Sequence, residues 1–125
     1  MSDPQDWLEI DCRTLFRLHA DRRIDRENDP DGSPGPRFWL GRGAHGNLAG
    51  VRADVSDSIA DELARVAGSE PRFADRIEPV PLERYLALLA PVPRWNLGLV
   101  YALPPTPGFD TDARIALIGV TLRIA

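Results

Sequence analysis

The stretch from residue 36 to residue 47 constrains the fold of this chain most strongly. It reads Pro36-Arg37-Phe38-Trp39-Leu40-Gly41-Arg42-Gly43-Ala44-His45-Gly46-Asn47. A loop rich in Pro and Gly leads into an apolar run, and glycines and an asparagine suited to positive φ follow it. This order predicts a β-hairpin whose return strand covers residues 48–55. Alternation along that strand predicts a buried face made of Val51, Ala53 and Val55.

Length and composition indicate one globular domain. The chain has 125 residues, of which 43% are hydrophobic and 27% charged, so it has enough apolar material for a core. We expect a single domain over residues 1–125, with a flexible N-terminus at residues 1–6. The net charge of −4 provides no basic excess, which argues against nucleic acid as a partner.

The number of cysteines and the hydropathy of the sequence indicate the cellular location of the protein. Cys12 is the single cysteine, which excludes an internal disulfide and a zinc site with several cysteines. No apolar run approaches the roughly 18 residues of a membrane span, and residues 1–6 are too polar for a signal peptide. We therefore expect a cytoplasmic protein without membrane association.

The pattern along the chain predicts an α+β fold. Leu8, Ile10 and Cys12 alternate with acidic residues, which predicts a strand within residues 7–18 that pairs with a return strand at 23–28. After the hairpin described above, helices are predicted from residues 56–58 and from Pro81, and strands at 95–103 and 114–124. The order ββ-ββ-α-α-β-β predicts an antiparallel sheet of two hairpins plus the C-terminal strands, packed with two helices.

No motif in the sequence assembles a catalytic or metal site. Gly41-x-Gly43-x-x-Gly46 matches the dinucleotide fingerprint, but that chemistry requires a helix directly after the glycines, where a strand is predicted here. The potential metal ligands His19, His45 and Cys12 fall in different predicted elements. We expect neither catalytic nor metal-binding residues.

Aromatic and arginine side chains form the one candidate binding set. Aromatic rings with nearby arginines can line a pocket for a small anionic or planar ligand, although the same residues can equally build a core. The candidate ligand-binding residues are Arg37, Trp39, Arg42, Trp95 and Tyr101.

Several segments resemble a known family. They are Asn28-Asp29-Pro30-Asp31-Gly32, Pro36-Arg37-Phe38-Trp39-Leu40-Gly41-Arg42, His45-Gly46-Asn47, Arg52-x-Asp54, Glu70-Pro71, Glu83-Arg84-Tyr85-x-x-Leu88-Leu89 and Trp95-x-x-Gly98-x-x-Tyr101-x-x-Pro104. Over residues 14–104 the chain resembles the region that precedes the catalytic domain in a group of bacterial GNAT-family N-acetyltransferases. The Arg/Gln-x-x-Gly-x-Gly/Ala loop that holds acetyl-CoA pyrophosphate in GNAT enzymes has no counterpart here, because residues 37–41 have the wrong spacing.

The resemblance implies an accessory domain without a cofactor, which binds a small molecule or a GNAT catalytic domain. Two alternatives stay open. A small acyltransferase would use acetyl-CoA, with its pyrophosphate at the turns 41–46 or 55–58. A structural domain would instead form a homodimer through the apolar strand at 114–124.

Overall fold

Two antiparallel sheets organise the residues that the computed structural model describes, which are 6–102 and 116–125. Three helices accompany these sheets in the described ranges, which confirms the α+β class. The elements are α1 (Asp6–Leu15), β1 (Phe16–Leu18), β2 (Ile24–Glu27), β3 (Phe38–Gly43), β4 (Asn47–Val51), α2 (Asp57–Gly68), α3 (Leu82–Leu88), β5 (Trp95–Ala102) and β6 (Ala116–Ile124).

The larger sheet has four strands in the order β4-β3-β6-β5. The β3–β4 hairpin confirms the prediction made from residues 36–47, and its register pairs Phe38 with Val51 and Arg42 with Asn47. The apolar strand β6 lies between β3 and β5, pairing Leu122 with both Leu40 and Leu97. The smaller sheet contains only β1 and β2, so the first predicted hairpin exists but forms a sheet of its own.

Helices α2 and α3 cover one face of the larger sheet. Their apolar residues Leu63, Val66, Leu82 and Tyr85 pack with strand residues such as Phe38 in one buried cluster. The predicted amphipathic faces of both helices are therefore confirmed, since removing apolar side chains from water is the main favourable term in folding.

Helix α1 corrects the strand predicted within residues 7–18. Leu8 and Cys12 are buried, whereas Ile10, which the alternating pattern placed beside them, is 61% exposed. Leu8, Cys12 and the partly buried Leu15 follow the i, i+4, i+7 spacing of a helix face. The segment is helical because this face packs against Trp39 and its neighbours on the opposite side of the sheet.

One local boundary also differs from the predictions, whereas α2 begins within the predicted range of 56–58. Strand β4 ends at Val51, so Ala53 lies in a turn and is exposed instead of sharing the buried face with Val51 and Val55. The side chain that caps α2 belongs to Ser56, whose hydroxyl accepts from the amide of Ile59. In the described ranges, no helix combines the length and the apolar character needed to cross a membrane.

Candidate functional site

The five predicted binding residues do not form one site. Trp39 is fully buried between the sheet and the α1 layer, and its ring meets Phe16 edge-on at 6.1 Å between centroids. Tyr101 lies six residues after Trp95 along β5, about 20 Å away at the usual rise of a strand. Arg37 and Trp95 do lie at the same end of the sheet, because the amide of Arg37 donates to Ile124, which is also the β6 partner of Trp95.

The guanidinium group of Arg42 donates its hydrogen bonds within the protein itself. Its side chain is buried, and its guanidinium donates to the carbonyl oxygens of Pro71, Arg76 and Ile77 at 3.4, 3.1 and 3.0 Å. Arg42 Nε also lies 3.9 Å from Oε1 of the buried Glu70. These contacts hold the irregular connection between α2 and α3 against the sheet.

Glu70 and Tyr85 complete this buried polar cluster. Burial raises the pKa of Glu70, and the positive charge of Arg42 only partly offsets that effect. Burial together with the nearby Glu70 likewise raises the pKa of the Tyr85 hydroxyl. The Tyr85 hydroxyl and Glu70 Oε1 make no hydrogen bond within the described part of the chain. Both atoms are buried, so a ligand in solvent cannot reach them.

The Arg37 side chain also makes hydrogen bonds that stabilise the fold. Its Nε donates to the carbonyl of Ala125 at 2.9 Å, and its Nη2 donates to that of Pro91 at 3.1 Å. It also lines a cavity of about 250 Å³ beside the start of α2, together with Asp54 and Ser56. That helix start is the 55–58 turn considered for acetyl-CoA. The Ser56 cap and the Asp54 carboxylate there both oppose an anionic ligand.

A cleft with three arginines lies where β5 begins and β6 ends. Its volume is about 440 Å³, and residues from the loop after β2 close one side. The residues that line it are Glu27, Pro34, Gly35, Pro36, Arg52, Arg94, Trp95, Asn96, Arg123 and Ala125. Of the five predicted residues, only Trp95 lines this cleft.

Two of the three arginines are fixed by acidic partners. Arg52 donates to both carboxylate oxygens of Asp54, at 2.7 and 3.0 Å, and to the carbonyl of Gly35. Arg123 donates to Glu27 through Nη2 and lies over the ring of Phe16, 5.5 Å from its centroid. These contacts orient both guanidinium groups, and the Nε and Nη1 groups of Arg123 have no hydrogen-bond partner among residues 6–102 and 116–125.

Arg94 provides the uncompensated charge of the cleft. Its side chain is exposed and makes no hydrogen bond or ion pair within the described ranges. The adjacent Trp95 remains 39% exposed. A cleft lined by both a positive charge and an exposed indole can bind a small anion that also carries an apolar or planar group.

A second large cavity differs in its chemistry. It measures about 480 Å³ and is lined by Trp7, Ala44, His45, Phe73, Ala74, Ala102, Leu117 and Ile118. No arginine is among these described lining residues, so the expected combination of arginine and aromatic side chains occurs at the cleft and not here. In the described ranges, no group of three or more His, Cys, Asp or Glu side chains could hold a metal ion.

Sequence reasoning missed the arginines of the cleft. Arg94 precedes a candidate residue, and Arg52 belongs to the Arg52-x-Asp54 segment of the family resemblance, so both had some signal. For Arg123, the only signal in the sequence was its position on the polar side of the alternating pattern of β6. No family model, curated protein or solved structure matches the chain significantly.

Proposed function

We propose that this chain is a non-catalytic domain that binds a small anionic ligand in the arginine-lined cleft. The observation that carries the proposal is that one cleft is lined both by Arg94, which has no acidic partner in the described ranges, and by Trp95, which is 39% exposed. The cleft volume of about 440 Å³ suits a small molecule.

The charge balance of the cleft supports an anion over a cation. Of the three arginine side chains that line the cleft, Arg52 and Arg123 are each paired with one carboxylate, Asp54 and Glu27, whereas Arg94 has no side-chain partner in the described ranges. Since the acidic partners hold Arg52 and Arg123 in place, an incoming anion loses less free energy to side-chain ordering. The Nε and Nη1 donors of Arg123 add further hydrogen bonds to carboxylate or phosphate oxygens.

The family resemblance suggests a biological setting for such a domain. We propose that it plays the part of the accessory region of GNAT-family N-acetyltransferases, with a GNAT catalytic domain as its protein partner. A cytoplasmic location agrees with the free, buried thiol of Cys12. In this proposal the ligand is recognised here and the acetyl transfer takes place on the partner.

A thermal-shift screen tests the proposal. The panel contains organic acids, nucleotides, small amines, free CoA and acetyl-CoA, tested with the wild type, Arg94→Ala and the control Arg13→Ala. Arg13 is an exposed arginine on α1, outside the cleft. A ligand at a hundred times its dissociation constant stabilises the fold by about 2.7 kcal/mol, which corresponds to several degrees in Tm.

We expect at least one anion to stabilise the wild type and Arg13→Ala but not Arg94→Ala. If no anion stabilises the wild type, or if Arg94→Ala responds as the wild type does, the cleft is not the binding site. A response to acetyl-CoA that persists in Arg94→Ala would instead support the acyltransferase alternative.

A further inference from the structure

We infer that the free edge of β5 pairs with the same strand of a second copy of this chain. The two four-stranded sheets then continue into one sheet across a two-fold axis. This inference concerns assembly and does not depend on the anion-binding cleft.

The strand order determines which edge is available. Strand β6 pairs on one side with β3 and on the other with β5, so both of its backbone edges are occupied from Gly119 to Ile124. A dimer through the apolar strand at 114–124 stays a prediction, and within residues 119–124 it would find both edges occupied. Among residues 6–102 and 116–125, no strand pairs with the outer edges of β4 and β5, and β5 is the longer of the two, with eight residues against five.

The composition of β5 is unusual for an exposed edge. Natural edge strands are commonly protected by charged residues, by Pro or by a bulge in the edge strand. Strand β5 reads Trp-Asn-Leu-Gly-Leu-Val-Tyr-Ala, with neither a charge nor a proline. Its side chains Leu99 and Tyr101 are 48% and 51% exposed, so apolar surface accompanies the unpaired backbone.

The strand is complementary to itself in one antiparallel register. Trp95, Leu97, Leu99 and Tyr101 share one face of the sheet, because side chains alternate along a strand. The pairing with β6 shifts between Val100 and Tyr101, but the extra residue, Ile118, belongs to β6, so the alternation along β5 continues. With the two-fold axis at Gly98, Trp95 of each copy lies opposite Tyr101 of the other, and Leu97 lies opposite Leu99. Aromatic and aliphatic cross-strand pairs of this kind stabilise antiparallel sheets.

Electrostatics also favours a second copy as the occupant. A charged side chain in such a strand would be present in both copies at the same interface, and the two like charges would repel each other. Strand β5 contains no ionisable side chain other than Tyr101, so this repulsion does not arise even though the whole chain carries −4. On the opposite face of the sheet the same register places Asn96 against Val100, again without charge.

Sedimentation equilibrium over a range of concentrations tests the interface. A pairing limited to eight-residue strands buries little area, so we expect a monomer–dimer equilibrium in the micromolar range. Leu99→Lys places two like charges at the interface and should shift the dissociation constant upward at least tenfold. The matched control is Val80→Lys, because Val80 is 56% exposed but lies outside the sheet.

The register has its own test, which also applies if Leu99→Lys folds poorly. Asn96→Cys and Val100→Cys are mixed under mild oxidation, and the proposed register joins the two variants by a disulfide more readily than either variant to itself. Cys12 is 3% exposed and does not compete. A protein that stays monomeric at about 100 μM, or a dimer that Leu99→Lys leaves unchanged, would overturn the inference.

Discussion

Arg42 shows at the scale of a single residue how a predicted binding group becomes a structural one. Its guanidinium is surrounded by three backbone carbonyls and lies near Glu70 in a region closed to solvent. A buried charge is costly unless it is paired and hydrogen-bonded. The cluster therefore contributes to stability only while both charged partners are present.

Replacement of this arginine should make stability depend on pH. Arg42→Met leaves Glu70 buried without its positive neighbour, and we expect a loss of about 3–5 kcal/mol in the free energy of unfolding near neutral pH. The same change raises the folded-state pKa of Glu70 further above its ordinary value of 4.5. A carboxyl whose folded-state pKa is raised costs stability as the pH rises above its ordinary value, and the cost is complete above the folded-state pKa. The loss should therefore shrink as the pH falls toward 4.5.

Urea unfolding at about pH 7.5 and about pH 5 measures this effect. Arg13→Met, which removes an exposed arginine, should lose little stability at either pH. A deficit of equal size at both pH values for Arg42→Met would show that the loss does not come from the ionisation of Glu70, and would contradict this account.

The residue scale also shows why sequence alone misplaced Trp39 and Arg42. Alternation along a strand separates a buried face from an exposed face only when one side of the sheet is open to water. All six residues of β3 are buried, because α2 and α3 cover one face and α1 covers the other. The sequence pattern therefore could not show that these two side chains are inaccessible, whereas Trp95 on an edge strand stays half-exposed.

At the scale of elements, α1 depends on glycines in the sheet beneath it. A Cβ atom at Gly41 would come within 2.6 Å of a methyl carbon of Leu8 and 2.7 Å of the Trp39 ring. A Cβ at Gly119 would come within 2.5 Å of the Trp7 ring. The close packing of α1 on the sheet explains why residues 6–15 are helical. This packing depends on glycines that are far from α1 in the sequence.

A single methyl group should therefore disturb this layer. We expect Gly41→Ala to cost about 1–3 kcal/mol in the free energy of unfolding, because Leu8 or Trp39 must move. Gly68→Ala is the control, since nothing lies within 4 Å of its added Cβ atom and alanine favours helix formation. Chemical denaturation of both variants measures the difference, and an undiminished stability of Gly41→Ala would contradict the close packing of α1.

The elements themselves were predictable where local chemistry decides. Turn residues located the β3–β4 hairpin, and the apolar strand predicted at 114–124 is present as β6 over its described residues, 116–124. The alternation of Leu8, Ile10 and Cys12 wrongly predicted a strand, because Leu8 and Cys12 also have the i, i+4 spacing of a helix face. Only the packing partner of that segment distinguishes the two interpretations.

At the scale of the whole molecule, the cleft is a product of topology. It brings together Pro34–Pro36, Arg52, Trp95 and Arg123, which are distant along the chain and meet where β5 starts and β6 ends. Sequence reasoning could name an arginine–aromatic site but not its members, because each arginine has an ordinary local context. The order of the strands is what assembles the site.

The most direct test of the central proposal follows the three tryptophan indole N–H signals by NMR during titration with the strongest-binding anion. Trp95→Phe identifies its own signal by loss. We predict that the anion shifts the Trp95 signal, that the signal of the buried Trp39 stays in place, and that Arg94→Ala abolishes the shift. A response centred on Trp39, or an unmoved Trp95 signal with an anion that demonstrably binds, would contradict binding in the arginine-lined cleft.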